Sequence, residues 1–207
     1  MLAQFFVHAI IYTALATLFL LGLVLYNPRL MLQDYPPAIK NVVPPKTDAE
    51  KRLSTWLGLP FILVLFAFPI YAAFAFKAHS SEAGFLSLWL YAFGIAFAFN
   101  LWDWLILDWL VFCTITPRQF VIPGSEGHPA YKDYFFHFRG FLIGTAFSAV
   151  LGLITAGIVI YSQFALSSLS SPRNTRNLEF SPPPLAGGEP VPRCGRPGVG
   201  DYQEHLQ

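Results

Sequence analysis

Charge is what this sequence lacks most. Only 12% of its 207 residues are charged, against about 25% in a soluble domain. That is too little to cover a water-exposed surface. The net charge is +1, and no basic cluster with interleaved aromatics occurs, so nucleic acid is not an expected partner. Cysteine is scarce too. Cys113 ends an apolar run and Cys194 lies in a low-complexity tail, which argues against a disulfide framework. No GxSxG, HExxH, P-loop, CxxC, CxxCH or dinucleotide-binding glycine pattern is present. These gaps count against common hydrolases, nucleotide enzymes and haem carriers.

What the chain has is apolar length. Hydrophobic residues make up 55% of it, in long blocks rather than amphipathic stripes. A helix needs about 20 apolar residues to cross a bilayer. Four blocks qualify: Phe5–Tyr26, Leu57–Phe76, Phe85–Phe112 and Gly140–Tyr161. Short alternating segments, the mark of a β-barrel, are missing. In lipid the backbone must satisfy its own hydrogen bonds, so the blocks are helices. The expected fold is all-α, a transmembrane bundle of four helices. The first block has no basic residue before it and is about twice the length of a signal-peptide core, so it reads as an uncleaved helix.

Two domains are expected, a helical one over 1–170 and a tail over 171–207. The tail holds seven Pro and five Gly without apolar periodicity, a composition that cannot bury a core and predicts disorder. Residues 181–189, SPPPLAGGE, resemble translated intergenic repeat sequence. A run-on reading frame and an ordinary flexible tail both fit. Between the first two helices, Pro36-Pro37 and Pro44-Pro45 predict extended backbone, and Thr47 with Glu50 predicts a capping box. Pro60 and Pro69 fall inside the second helix, where each removes a backbone bond. Pro123 to Gly127 is a turn cluster, and Pro129 suits the first position of a new helix.

Lysine and arginine in short loops set orientation. Loops 1 and 3 with their flanks carry Arg29, Lys40, Lys46, Lys51, Arg52, Arg118, Lys132 and Arg139; the opposite side has Lys77, Arg173 and Arg176, and the tail adds Arg193 and Arg196. Loops 1 and 3 are therefore expected in the cytoplasm and both termini outside, in the cell's inner (plasma) membrane.

The segment NLWDWLILDW, residues 100–109, places Asp103 and Asp108 in an apolar helix. An aspartate at bilayer depth costs about 2.5–3.5 kcal/mol on insertion scales. At 100° per residue, Asn100, Asp103, Trp104 and Asp108 share one broad face, about 140° wide. YKDYFFHFR, residues 131–139, brings His137 and Arg139 to the membrane from the same side. Asn100, Asp103, Asp108, His137 and Arg139 form the candidate polar site. Arg139, the only arginine near enough, is expected to contact one aspartate through its bidentate geometry, leaving the other to His137 or water. A helix-locking ion pair and a ligand or proton site both fit. Asp133 and His137 are spaced i,i+4, a weak metal pattern, and no metal is assigned. Gly140, Gly144, Ser148, Gly152 and Ala156 recur every four residues, which predicts a groove for a close neighbouring helix. Trp56, Trp89 and Trp109 are expected to mark interfaces, and the many other aromatics are read as packing or lipid-facing.

Together the stretches at 100–109, 116–118 and 131–140 resemble those of a group of uncharacterised bacterial multi-pass membrane proteins. The resemblance spans about residues 1–165. It implies a four-helix membrane protein and no activity. The function expected is a non-enzymatic membrane component with a charged intramembrane site, small-solute or proton-linked, or a subunit of a larger assembly. The alternatives are a small membrane enzyme using Asp103 and Asp108, and a purely structural interaction protein. Expected partners are the bilayer and a second copy or another membrane protein. No cofactor is indicated.

Overall fold

Polar residues at the block ends decide where each helix starts and stops. The structure, a computed structural model, describes residues 2–170; the expectations for the tail lie outside them. Helix α1 spans Leu2–Tyr26. Asn27 then caps a 3-10 segment, Pro28–Asp34, by accepting from the Arg29 N–H. A short helix, α2, covers Pro37–Val42. The extended reading of Pro36-Pro37 is corrected here: Pro37 occupies a first helical position, where its fixed φ and missing N–H cost nothing. Helix α3 runs Asp48–His79, opened by the Thr47/Glu50 capping box. That cap starts the helix more than two turns before the apolar block. Helix α4, Phe85–Trp102, follows a short turn.

Beyond Trp102 the same rod widens into a π-type helix over Asp103–Ile115. It ends at Thr116, whose left-handed backbone (φ 48°, ψ 66°) breaks the run ahead of Pro117. Lys132 Nζ fixes this end by donating to the Thr114 carbonyl and Thr116 Oγ1, both at 2.9 Å. A 3-10 turn at Pro129–Lys132 has Pro129 in its first position. Helix α5, Tyr134–Ser170, begins only after Asp133, whose Oδ1 accepts from the Phe136 N–H at 2.9 Å. Asp133 is thus a helix cap, which accounts for it better than the i,i+4 metal reading does.

Four helices among the described residues are long and apolar enough to cross a membrane: α1, α3, α4 with its π extension, and α5. Their outer faces stay apolar and uncovered, as at Phe6, Leu18, Leu63, Ile143 and Ile154. A surface of that kind suits lipid rather than water. The interior core joins Tyr12, Ala16, Ala72, Phe76, Leu88, Ile95 and Val159. Helix α3 stays continuous through Pro60 and Pro69. Pro69 has no N–H for the Leu65 carbonyl one turn back. The Tyr12 hydroxyl of α1 donates to that carbonyl at 3.2 Å.

The largest helix–helix interface joins α4 to α5. Ser148 and Ala156 are buried there, and Cβ atoms at Gly152 would press on Trp89 and Phe93 at 3.0–3.1 Å. Trp89 belongs to this interface, donating Nε1–H to the Ala149 carbonyl at 3.1 Å. Gly140, the first member of the small-residue series, departs from the expectation. It is exposed and a Cβ would meet nothing within 4 Å, so it takes no part in this contact.

Loops 1 and 3 pack on each other as a cap over one end of the bundle. Tyr35, Ile39, Phe112, Phe120, Ile122 and Tyr131 form its core. The Tyr35 hydroxyl donates to the Phe120 carbonyl at 2.8 Å, and the Ile122 N–H donates to the Tyr131 hydroxyl at 2.9 Å. Arg29 pairs with Glu50 and donates to the Pro44 and Pro45 carbonyls at 3.2 Å.

Candidate intramembrane site

The widened helix decides which side chains can meet. In an α-helix Asp103 and Asp108, five apart, would point about 140° from one another. A π-helix bonds i to i+5, so residues five apart draw toward a common face. The Thr116 N–H to Val111 carbonyl bond, 2.8 Å, has this spacing. Asp103, Asp108 and Cys113 follow at intervals of five. The 3.6-residue wheel used on the sequence does not apply over this segment, where it would scatter the three.

His137, from the first turn of α5, meets that face. Its Nδ1 stands 2.9 Å from Asp108 Oδ1. The imidazole is 6% exposed, and its ring lies 4.9 Å from that of Phe112. Cys113, fully buried in the cap core, is its neighbour. The expected arginine pair does not form. Among the described residues no ion pair within 4.0 Å joins Arg139 to Asp103 or Asp108, and Arg139 is exposed. Two positions separate it from His137, so on one helix it points about 160° away. Asn100 is spent on packing. Its Nδ2 donates to the Phe141 carbonyl and to Thr145 Oγ1, both at 3.1 Å. Gly144 makes room for it, since a Cβ there would stand 2.9 Å from Asn100 Cγ and closer still to Oδ1.

A cavity of about 800 Å³ opens against this cluster, within the range of about 300–1,000 Å³ found for small-molecule sites. Asp103, Asp108, His137 and Arg139 lie on its lining, as do Trp104 and, from loop 1, Asp34. The rest is largely apolar, with Leu20, Val24, Phe61, Phe99 and Phe141 among its walls. His137 Nε2 and Trp104 Nε1, on two of the lining residues, are buried and have no hydrogen-bond partner. The Trp104 ring is held by stacking on Phe141, with centroids 4.4 Å apart.

Sequence reasoning missed Asp34 and Trp104's free N–H. A lone acidic residue in a polar loop carries no signal, and only folding of the cap brings it to the cavity. Loss of hydration there raises the Asp34 carboxyl above its ordinary value, with the Asp108 charge adding to the effect. Lys46, Lys40 and a 2.9 Å hydrogen bond from Gln33 Nε2 oppose it. Lys46 itself is lowered, by desolvation first. Its Nζ donates to the Leu30 carbonyl, Gln33 Oε1 and Ser54 Oγ, so its three N–H bonds are engaged.

Chemically, the Asp108–His137 pair sets Nδ1 of the imidazole against a carboxylate oxygen at 2.9 Å. A neutral imidazole that offers Nδ1–H to a carboxylate carries a lone pair on Nε2. Two further carboxyl side chains, Asp34 and Asp103, lie on the same lining. No group of three or more His, Cys, Asp or Glu is placed to hold a metal among the described residues.

These features define a class, a multi-pass helical membrane protein with a polar cluster on an internal cavity. Comparison with protein-family models, curated proteins and solved structures found no match to the chain, so the bacterial resemblance read from the sequence gains no support from them.

Proposed function

We propose that this protein is a non-enzymatic membrane component that binds a small amphiphilic solute in the cavity, with the solute's polar end at Asp103, Asp108 and His137. The observation that carries this reading is an 800 Å³ cavity whose lining joins Asp34, Asp103, Asp108 and His137 to largely apolar walls. Apolar walls at one end and carboxylates at the other suit a molecule with the same division. We place loops 1 and 3 on the cytoplasmic side of a cell's inner membrane, on the lysine and arginine count.

The test is thermal unfolding of the full-length protein in detergent with amphiphiles of differing head group. At least one class should raise Tm by more than about 2–4 °C, the shift for ~1 kcal/mol at this size. His137→Phe, which removes both ring nitrogens, should abolish the shift. No shift with any class would refute the reading.

A second reading is supported by the same dyad. A carboxylate that orients an imidazole on the lining of a cavity is an arrangement for general acid–base chemistry. On that reading Asp108 and His137 are the working pair, rather than Asp103 and Asp108. Conversion of a bound lipid by wild type and not by His137→Gln would favour it.

A further inference from the structure

We propose that the polar end of the cavity takes the ammonium group of an amine-headed lipid, which enters sideways from the bilayer between α3 and α5. This rests on the reading of the cavity as an amphiphile site and names its head group and its door.

The head group follows from what the polar end can offer. Asp34 and Asp103 lie on the lining, and among the described residues neither has a cation within 4.0 Å. The nearest candidate for Asp34, Lys46, has its N–H bonds committed elsewhere. His137, more than nine-tenths buried, adds an unpartnered Nε2. Two carboxylates without a cation call for a donor with positive charge. A primary ammonium provides three N–H bonds and the charge together. A trimethylated ammonium has the charge and no N–H, and a glycerol head has hydroxyls and no charge. Arg139, on the lining without an ion pair, is free to meet the phosphate of the same lipid.

The door follows from two glycines. Gly58 of α3 and Gly140 of α5 both line the cavity, and a Cβ at either would meet nothing within 4 Å. Their neighbours on the lining, Ile62 and Ile143, are 46% and 69% exposed on the outer, apolar surface. Farther along, the helices close through Phe66 against Phe147, with ring centroids 5.8 Å apart. The gap is therefore confined to the level of the carboxylates.

Native mass spectrometry of the full-length protein in detergent tests both parts, using phosphatidylethanolamine, phosphatidylcholine and phosphatidylglycerol with identical chains. Phosphatidylethanolamine should be retained about tenfold better than either of the others, and Asp103→Asn should reduce that preference to within about twofold. Should Asp103→Asn fail to fold, Asp34→Asn, in the loop segment, should lose the preference instead. Gly58→Leu with Gly140→Leu should slow loading at an unchanged Tm, because a Cβ at either position has open space around it. Equal retention of phosphatidylcholine, or a preference for phosphatidylglycerol, would overturn the ammonium assignment while leaving an amphiphile site in place. Unchanged loading by the double leucine variant would overturn the door. No retention of any lipid would take down the underlying reading as well.

Discussion

At the scale of single residues, several side chains owe their roles to a defect elsewhere in the backbone. Tyr12 is the clearest. Pro69 leaves the Leu65 carbonyl without its helical partner, and the Tyr12 hydroxyl, buried at 2% exposure, supplies one from the next helix. Tyr12→Phe keeps the ring and removes that donor. It should destabilise the protein by about 1 kcal/mol, within the range of interhelical hydrogen bonds in membranes, measured by unfolding in detergent. Adding Pro69→Ala should recover most of the loss, since alanine restores the N–H. Equal destabilisation in both backgrounds would show that the hydroxyl does something else. His137 has a similar dependence. Its value to the site lies in Asp108 holding one nitrogen so that the other is left over.

At the scale of helices, the α4–α5 pair is registered by hydrogen bonds from Trp89 and Asn100 and by a run of small residues. Asn100 sits where Gly144 has no side chain, and its amide reaches two acceptors on α5. Gly144→Ala should destabilise by about 1–3 kcal/mol through overpacking. Combined with Asn100→Ala the cost should fall well short of the sum, because the two substitutions remove the same contact. Additive losses would mean that the glycine serves another neighbour. The π-type segment is the other device at this scale. Bonding to i+5 brings Asp103 and Asp108 toward one face, and lets His137 approach the second of them.

At the scale of the whole molecule, the bundle separates at one end, and the cap formed by loops 1 and 3 roofs the opening. Asp34 and Tyr35 lie on the cavity lining beneath it, and Tyr35 also ties the loops together through Phe120. Topology reporters inserted in loop 1 near Asn41 and in loop 3 near Glu126 should both report cytoplasm, and one after Tyr161 the exterior. The reverse pattern would invert the orientation and keep the spans.

The sequence by itself determined the number and kind of helices. Four apolar blocks in a chain with few charges can satisfy their backbone in lipid only as helices, and that argument needs no neighbours. The Thr47/Glu50 cap and the α5 packing face at Gly144, Ser148 and Gly152 were legible for the same reason: each depends on residues three or four apart. The sequence could name five polar residues as candidates, and it did not disclose their partners. Arg139 was the natural mate for a buried aspartate by charge, yet His137 took Asp108. That choice depended on the rotation of α5 and the widening of α4, and both are set by packing between segments about 30 residues apart. Asp34 reached the cavity only because a loop folded over it. Periodicity along one helix is local information. Which faces meet, and which atoms stay unpaired when they do, is decided by helices closing on one another, and it was there that the tertiary structure made the site.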